Sequence, residues 1–128
     1  LMEAAGAPGD KSAPSYAAMI TPEGLKVVAA YAYGIGPNKD MIQRGDAAPS
    51  TLVADAHAAG LRLHPWTFRA ENMFLPPSLR IGTDPAVHGK LAEEITRFLN
   101  LGIDGFFTDF AYIGVDARNA QRAKAKGQ

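Results

Sequence analysis

The sequence predicts an α/β fold in which parallel strands are joined by crossover helices, and three observations carry that expectation. Helical and extended patterns alternate along the chain in the order helix, strand, helix, strand, helix, strand, helix. The helix-to-strand turns are short, "AAGL" at residues 58–61 and "NLGID" at residues 100–104, so successive strands must run the same way with a helix between them. Finally, "AAGLRL" and "NLGIDG" are weakly alike, each a helix end, a glycine, an apolar residue and a strand start, as expected of a repeated βα unit.

Each element follows from local chemistry. Residues 1–15 are rich in Ala, Gly, Pro and Ser and read as a loop or linker. Thr21-Pro22-Glu23 is a helix start, with Thr as N-cap, Pro at the first helical position and an acid in the first turn, and a short helix is expected through Tyr31. "AYGIGP" is then a brief strand stopped by Gly36-Pro37, followed by one helical turn over Asn38 to Ile42. Ser50 is placed to cap a second helix, "TLVADAHAA", whose Leu52, Val53, Ala56 and Ala59 share a face and which Gly60 closes in the left-handed conformation. "LRLHPWTF" is the next strand, bent or ended by Pro65.

Arg69 to Val87 forms a long loop with three prolines, a length more often associated with function than with simple connection. "HGKLAEEITRFLNLG" is the strongest helix. It places Leu91, Ile95, Phe98 and Leu99 on a buried stripe and assigns Lys90, Glu93, Glu94 and Arg97 to solvent. "IDGFFTD" is the third strand, and a closing helix from about Ala111 to Lys124 ends in Arg122, Lys124 and Lys126, a solvated basic end that suits a helix C-terminus.

Three parallel strands make a poor free-standing sheet, because an all-parallel architecture needs both faces covered. A (β/α)8 barrel takes about 250 residues, and the 128 residues here supply roughly half of one. The chain starts at Leu1 and reads like the middle of something longer. Thirteen basic and thirteen acidic side chains leave no global field favouring nucleic acid or an anionic membrane, and no apolar run is long enough to span a bilayer. Cysteine is absent, which removes disulfides, thiolate nucleophiles and cysteine-bound zinc from consideration.

Three segments, "TPEGLKVVAAYAYGIGPNKDMI", "HAAGLRLHPWTFRAENMFLP" and "FLNLGIDGFFTDF", in that order and spacing, resemble the C-terminal part of the glycerophosphodiester phosphodiesterase family, especially its periplasmic type. The resemblance implies a partial (β/α)8 (TIM) barrel, with strands six to eight present and residues 1–128 forming the C-terminal portion of a single domain. It further implies hydrolysis of glycerophosphodiesters to sn-glycerol 3-phosphate and an alcohol, a divalent cation (Ca2+ or Mg2+), and a periplasmic or secreted location. The family's His-Arg-Gly, Pro-Glu-Asn-Thr and Glu-x-Asp segments do not occur here, and "AENM" at residues 70–73 lies in the wrong loop to replace one. No catalytic or metal-ligating residue is therefore assigned, and the chain alone is expected to be inactive. A non-catalytic half barrel that associates with itself through open sheet edges is the alternative.

In such barrels the active site lies at the C-terminal strand ends. Trp66, Phe68 and Arg69 fall there and are the candidates for substrate binding. The Trp66 indole could pack on glycerol carbons or cap the core. Arg69 could hold a phosphate with its planar fork or pair with Glu71 in the loop. His64 is expected to be a satisfied buried histidine, and His57 and His88 to lie at the surface. Asp104 is placed at a strand start, away from Asp109, which is expected to cap the last helix. Gly34 and Gly36 form a GxG that reads as a tight turn. The family usually continues "TDFPD" where this chain has "TDFAY", and often carries an acid at the Tyr33 position.

Overall fold

The computed structural model describes residues 1–127, and its elements follow the expected alternation except that a short helix is added ahead of the first and the third expected strand is not a regular one. They are α1 (Tyr16–Met19), α2 (Pro22–Ala29), β1 (Gly34–Ile35), α3 (Leu52–Ala58), β2 (Arg62–Leu63), α4 (Leu91–Leu101) and α5 (Ala111–Lys126), with 3-10 turns at Lys39–Met41, Asn72–Phe74 and Pro77–Leu79. The helix start at α2 has the expected chemistry: Thr21 Oγ1 accepts from Gly24 N at 3.1 Å and Pro22 opens the first turn. Gly60 (φ +82°) and Gly102 (φ +98°) turn α3 and α4 into the extended segments that follow, as only residues without a Cβ do readily. The short α1, capped by Ser15, was not foreseen. It lies against Gly24, where a Cβ would collide with the Ala18 carbonyl, so the α1–α2 corner requires glycine.

β1 and β2 pair in parallel, Gly34 opposite Arg62 and Ile35 opposite Leu63. The ladder extends beyond the regular strands through His64 N to Ile35 O (2.9 Å), Trp66 N to Pro37 O (3.1 Å) and Lys39 N to Trp66 O (2.8 Å). The third expected strand is an extended segment instead of a regular strand. Gly105 N reaches Leu63 O, Phe107 N reaches Pro65 O and Phe68 N reaches Phe107 O, with a parallel bridge between Phe68 and Thr108. Pro65 has no N–H to give, which removes a rung here, yet its carbonyl still accepts. Within the first fifteen residues, Met2 makes a parallel bridge to Pro37, donating to Gly36 O and accepting from Asn38 N, both at 2.7 Å. Four extended segments therefore lie side by side in chain order, all parallel.

One face of this sheet is the core. Ile35, Leu61, Leu63 and Phe68 meet Leu25 and Val28 of α2, Leu52 and Ala56 of α3, and Leu91, Ile95 and Phe98 of α4. Each such side chain withdrawn from water contributes roughly 1.5–3 kcal/mol before entropy is counted. Among the described residues the opposite face carries no helix. There Tyr33, Gly34, Gly36, Arg62, His64 and Phe107 line a shallow hollow of about 260 Å³. His64 is consequently exposed and not buried, because strand alternation sends it away from the helices.

Two further expectations are corrected. Glu94, assigned to solvent by helical periodicity, is only 3% exposed, because Lys39 projects from the end of β1 to meet it. Asp109 does not cap α5; Thr108 Oγ1 instead accepts from Phe110 N at 3.1 Å. At α3, Thr51 occupies the N-cap position, while Ser50 Oγ takes the Leu52 N–H at 3.3 Å.

Candidate functional site at the C-terminal strand ends

Where β2 finishes, the chain turns at Trp66–Arg69 into the long loop, and that loop is a built structure. Asn72, 2% exposed, is its organiser. Its Nδ2 donates to the carbonyls of Ile81 (2.7 Å) and Asp84 (2.8 Å), and its Oδ1 accepts from Ile81 N (2.9 Å). A buried amide satisfied at both ends fixes the loop better than apolar contact could, since breaking it strands polar groups.

Lys39 ties this loop to the helix layer beside the sheet. Its Nζ donates to Glu94 Oε1 at 2.6 Å and to the Phe74 carbonyl at 2.9 Å, and lies 5.5 Å from the Phe68 ring centre. Burial pushes the Glu94 carboxyl above the usual glutamate value, while the Lys39 ammonium pulls it back. Glu94 Oε2 has no hydrogen-bond partner among the described residues, so Lys39 is its main compensation.

The three candidate residues take different places. Phe68 is fully buried, its ring edge-on to Phe98 and Phe106 with centroids 5.0 and 5.8 Å away. It is core and presents no surface to a ligand, which corrects its expected place on the mouth. Trp66 is half-buried and lies across β1, with Nε1 donating to Gly36 O at 2.8 Å. Arg69 forms the expected loop pair with Glu71 (3.1 Å), approaches Asp109 (3.4 Å) and stacks on Phe74, with Cζ 4.5 Å from the ring centre. One cation among two carboxylates gives this cluster a net negative charge. Glu71 is held below the ordinary glutamate value, first by its own backbone N–H, against which desolvation acts, and then by Arg69. His88 stands edge-on to Phe110, 5.0 Å between ring centres, and Glu71 pairs with His88 in an antiparallel bridge.

At the other end of the strands, Asp104 receives His57 Nε2 (2.8 Å), Arg62 Nη1 (2.8 Å) and Leu63 N (2.9 Å). His57 is thus an exposed residue with a defined partner. Asp104 and Asp109 belong to separate clusters at opposite strand ends, as their positions in the sequence require. Among the described residues no three His, Asp or Glu side chains converge into a set able to hold a metal ion. The side chains present therefore do not fit a complete cation site, and no chemical step is derived through one.

Parallel strands with helices on one face and a long loop at the strand C-termini define the class: an α/β chain. Residues 3–112 match the glycerophosphoryl diester phosphodiesterase family, and the chain belongs to that family. It is similar to glycerophosphodiester phosphodiesterase GDPD6 of Arabidopsis thaliana, 39% identical over 101 residues. That alignment covers 75% of this chain and 25% of the plant protein, so the chain spans about a quarter of the relative it matches.

Lys39, Glu94 and Asn72 were not singled out from sequence. Lys39 and Glu94 are 55 residues apart, and no local pattern joins them. Asn72 sits in "AENMF", where nothing distinguishes it from a solvent-facing loop amide.

Proposed function

We propose that this chain is the closing arc of a (β/α)8 barrel that hydrolyses glycerophosphodiesters to sn-glycerol 3-phosphate and an alcohol. The observation that carries this reading is the family match over residues 3–112, read together with sequential parallel pairing around β1 and β2. On this reading the arc supplies strands six to eight, with the Met2 segment beside them, together with rim and loop cover, while the groups that break the P–O bond lie on polypeptide absent from this sequence. A divalent cation, Ca2+ or Mg2+, would be held there too, and a periplasmic or secreted location accompanies the type resembled.

Within the arc, Trp66 offers an indole face to glycerol carbons, its N–H being already engaged by Gly36. Arg69 is the anion-facing candidate. Because Glu71 and Asp109 already offset its charge, a phosphodiester gains most there when a cation elsewhere in the site shares the load. Alone, the chain turns over no glycerophosphodiester.

The test is a chimera in which this chain replaces the matching quarter of the Arabidopsis relative. Glycerophosphodiester hydrolysis in the presence of Ca2+ or Mg2+ is expected, and Arg69→Ala in the chimera should raise KM more than it lowers kcat. A folded chimera without turnover, beside an active parent, would defeat the proposal.

A further inference from the structure

Three contacts converge on Lys39, one for each candidate residue beyond the end of β2. Lys39 opens the 3-10 turn that follows β1, and its backbone N–H donates to the Trp66 carbonyl at 2.8 Å. Its Nζ lies 5.5 Å from the Phe68 ring centre and donates to the Phe74 carbonyl at 2.9 Å. The third contact reaches Arg69 through Phe74. The Phe74 N–H closes its own turn onto the Glu71 carbonyl at 2.9 Å, so both backbone groups of Phe74 are fixed. The Phe74 ring carries the Arg69 guanidinium, 4.5 Å from Cζ to ring centre, while Glu71 holds it from the side at 3.1 Å.

Burying an ammonium here is costly. The Lys39 side chain is 12% exposed and that of Glu94 4%, and an apolar pair of similar volume would pack α4 against the turn at least as well. The ion pair also leaves Glu94 Oε2 without a hydrogen-bond partner among the described residues. What an apolar pair lacks is a donor for the Phe74 carbonyl. Arg69 in turn needs outside support. Among the described residues its one side-chain hydrogen bond is that from Nη2 to Glu71, and its Nε is buried without one. A long side chain held at so few points keeps a single orientation only while the ring beneath it stays in place.

We propose that Lys39 is a positioning residue for Arg69: by fixing the Phe74 carbonyl it sets the ring on which the guanidinium rests, and Glu94 holds the ammonium within reach. The proposal rests on the reading of Arg69 as the phosphodiester-facing cation and gives Lys39 no contact with substrate. A guanidinium already oriented loses less freedom when an anion binds, so the effect falls on affinity.

Two measurements test this, on a variant chosen to keep the fold. Lys39→Met with Glu94→Leu removes the donor while exchanging two desolvated charges for apolar contact. In the 128-residue chain, the Arg69 Nε–Hε signal in nitrogen–proton NMR is assigned by its loss in Arg69→Lys. It should exchange with solvent about tenfold faster in the double variant. The Asn72 side-chain amide, which holds the rest of the loop through Ile81 and Asp84, and the α4 amides should keep their protection. Equal loss at Asn72 would make Lys39 a general brace of the loop, and an unchanged Arg69 signal would sever the two residues; either result overturns the inference. In the chimera with the Arabidopsis relative, the double variant should raise KM about fivefold with kcat nearly unchanged, and should add nothing to Arg69→Ala. Full additivity in an active chimera would also overturn it. An inactive chimera counts against the barrel reading and leaves the exchange measurement to decide the role of Lys39.

Discussion

Trp66 and Gly36 are joined across β1: the indole Nε1 donates to the glycine carbonyl at 2.8 Å, the same carbonyl that accepts Met2 N at 2.7 Å. One oxygen thereby holds the first segment, β1 and the end of β2 together. Trp66→Phe keeps the ring in place but removes the donor, while Met2 still satisfies the acceptor. The expected cost is about 1 kcal/mol in urea unfolding followed by circular dichroism. A loss above about 3 kcal/mol would mean the indole does more than bridge these strands.

Lys39 and Glu94 form a buried pair whose worth is measured by breaking it. Lys39→Met leaves a carboxylate 3% exposed without its cation and should destabilise by about 3–5 kcal/mol. Replacing both, Lys39→Met with Glu94→Leu, should recover most of that loss, because two desolvated charges are exchanged for apolar packing. The double-mutant cycle in urea gives the coupling directly. Equal costs for the single and double variants would contradict the burial argument.

Asp104 sets an acid limit on stability. Burial alone would raise its pKa, but hydrogen bonds from His57, Leu63 N and Arg62 outweigh that and hold it at about 2, below the ordinary 3.8. A depressed carboxylate stabilises the fold fully above its unfolded value and loses that contribution as pH falls through the folded one. The window is therefore from about pH 4 down to about pH 2. The unscreened shift corresponds to about 2.4 kcal/mol, and solvent reduces it to on the order of 1 kcal/mol. Asp104→Asn should flatten the unfolding free energy across that window. An unchanged acid slope would assign the acid limit to other carboxylates.

Asn72 holds the long loop in shape. Asn72→Ala leaves the Ile81 and Asp84 carbonyls and the Ile81 N–H without their partner, at roughly 2–3 kcal/mol. Hydrogen exchange should show residues 71–87 losing protection well before α4 does. Uniform loss across the chain would mean the loop and core unfold as one unit.

Much of this architecture was determined by sequence alone. Thr21-Pro22 opens α2, Gly60 and Gly102 close α3 and α4, and the alternation of "LRLHPW" selects which side chains face the helices. These are short-range effects: caps, φ angles and two-residue or helical periods act within a few residues and are written locally. Tertiary structure decided the rest. Periodicity put Glu94 in water and position at a strand end put Phe68 on the mouth; Lys39, arriving from the 3-10 turn after β1, buried the first, and the helix layer enclosed the second. Met2 became part of the sheet only because Pro37 and Asn38 lay beside it. Long-range pairing depends on where distant segments meet, and no local stretch of residues carries that information.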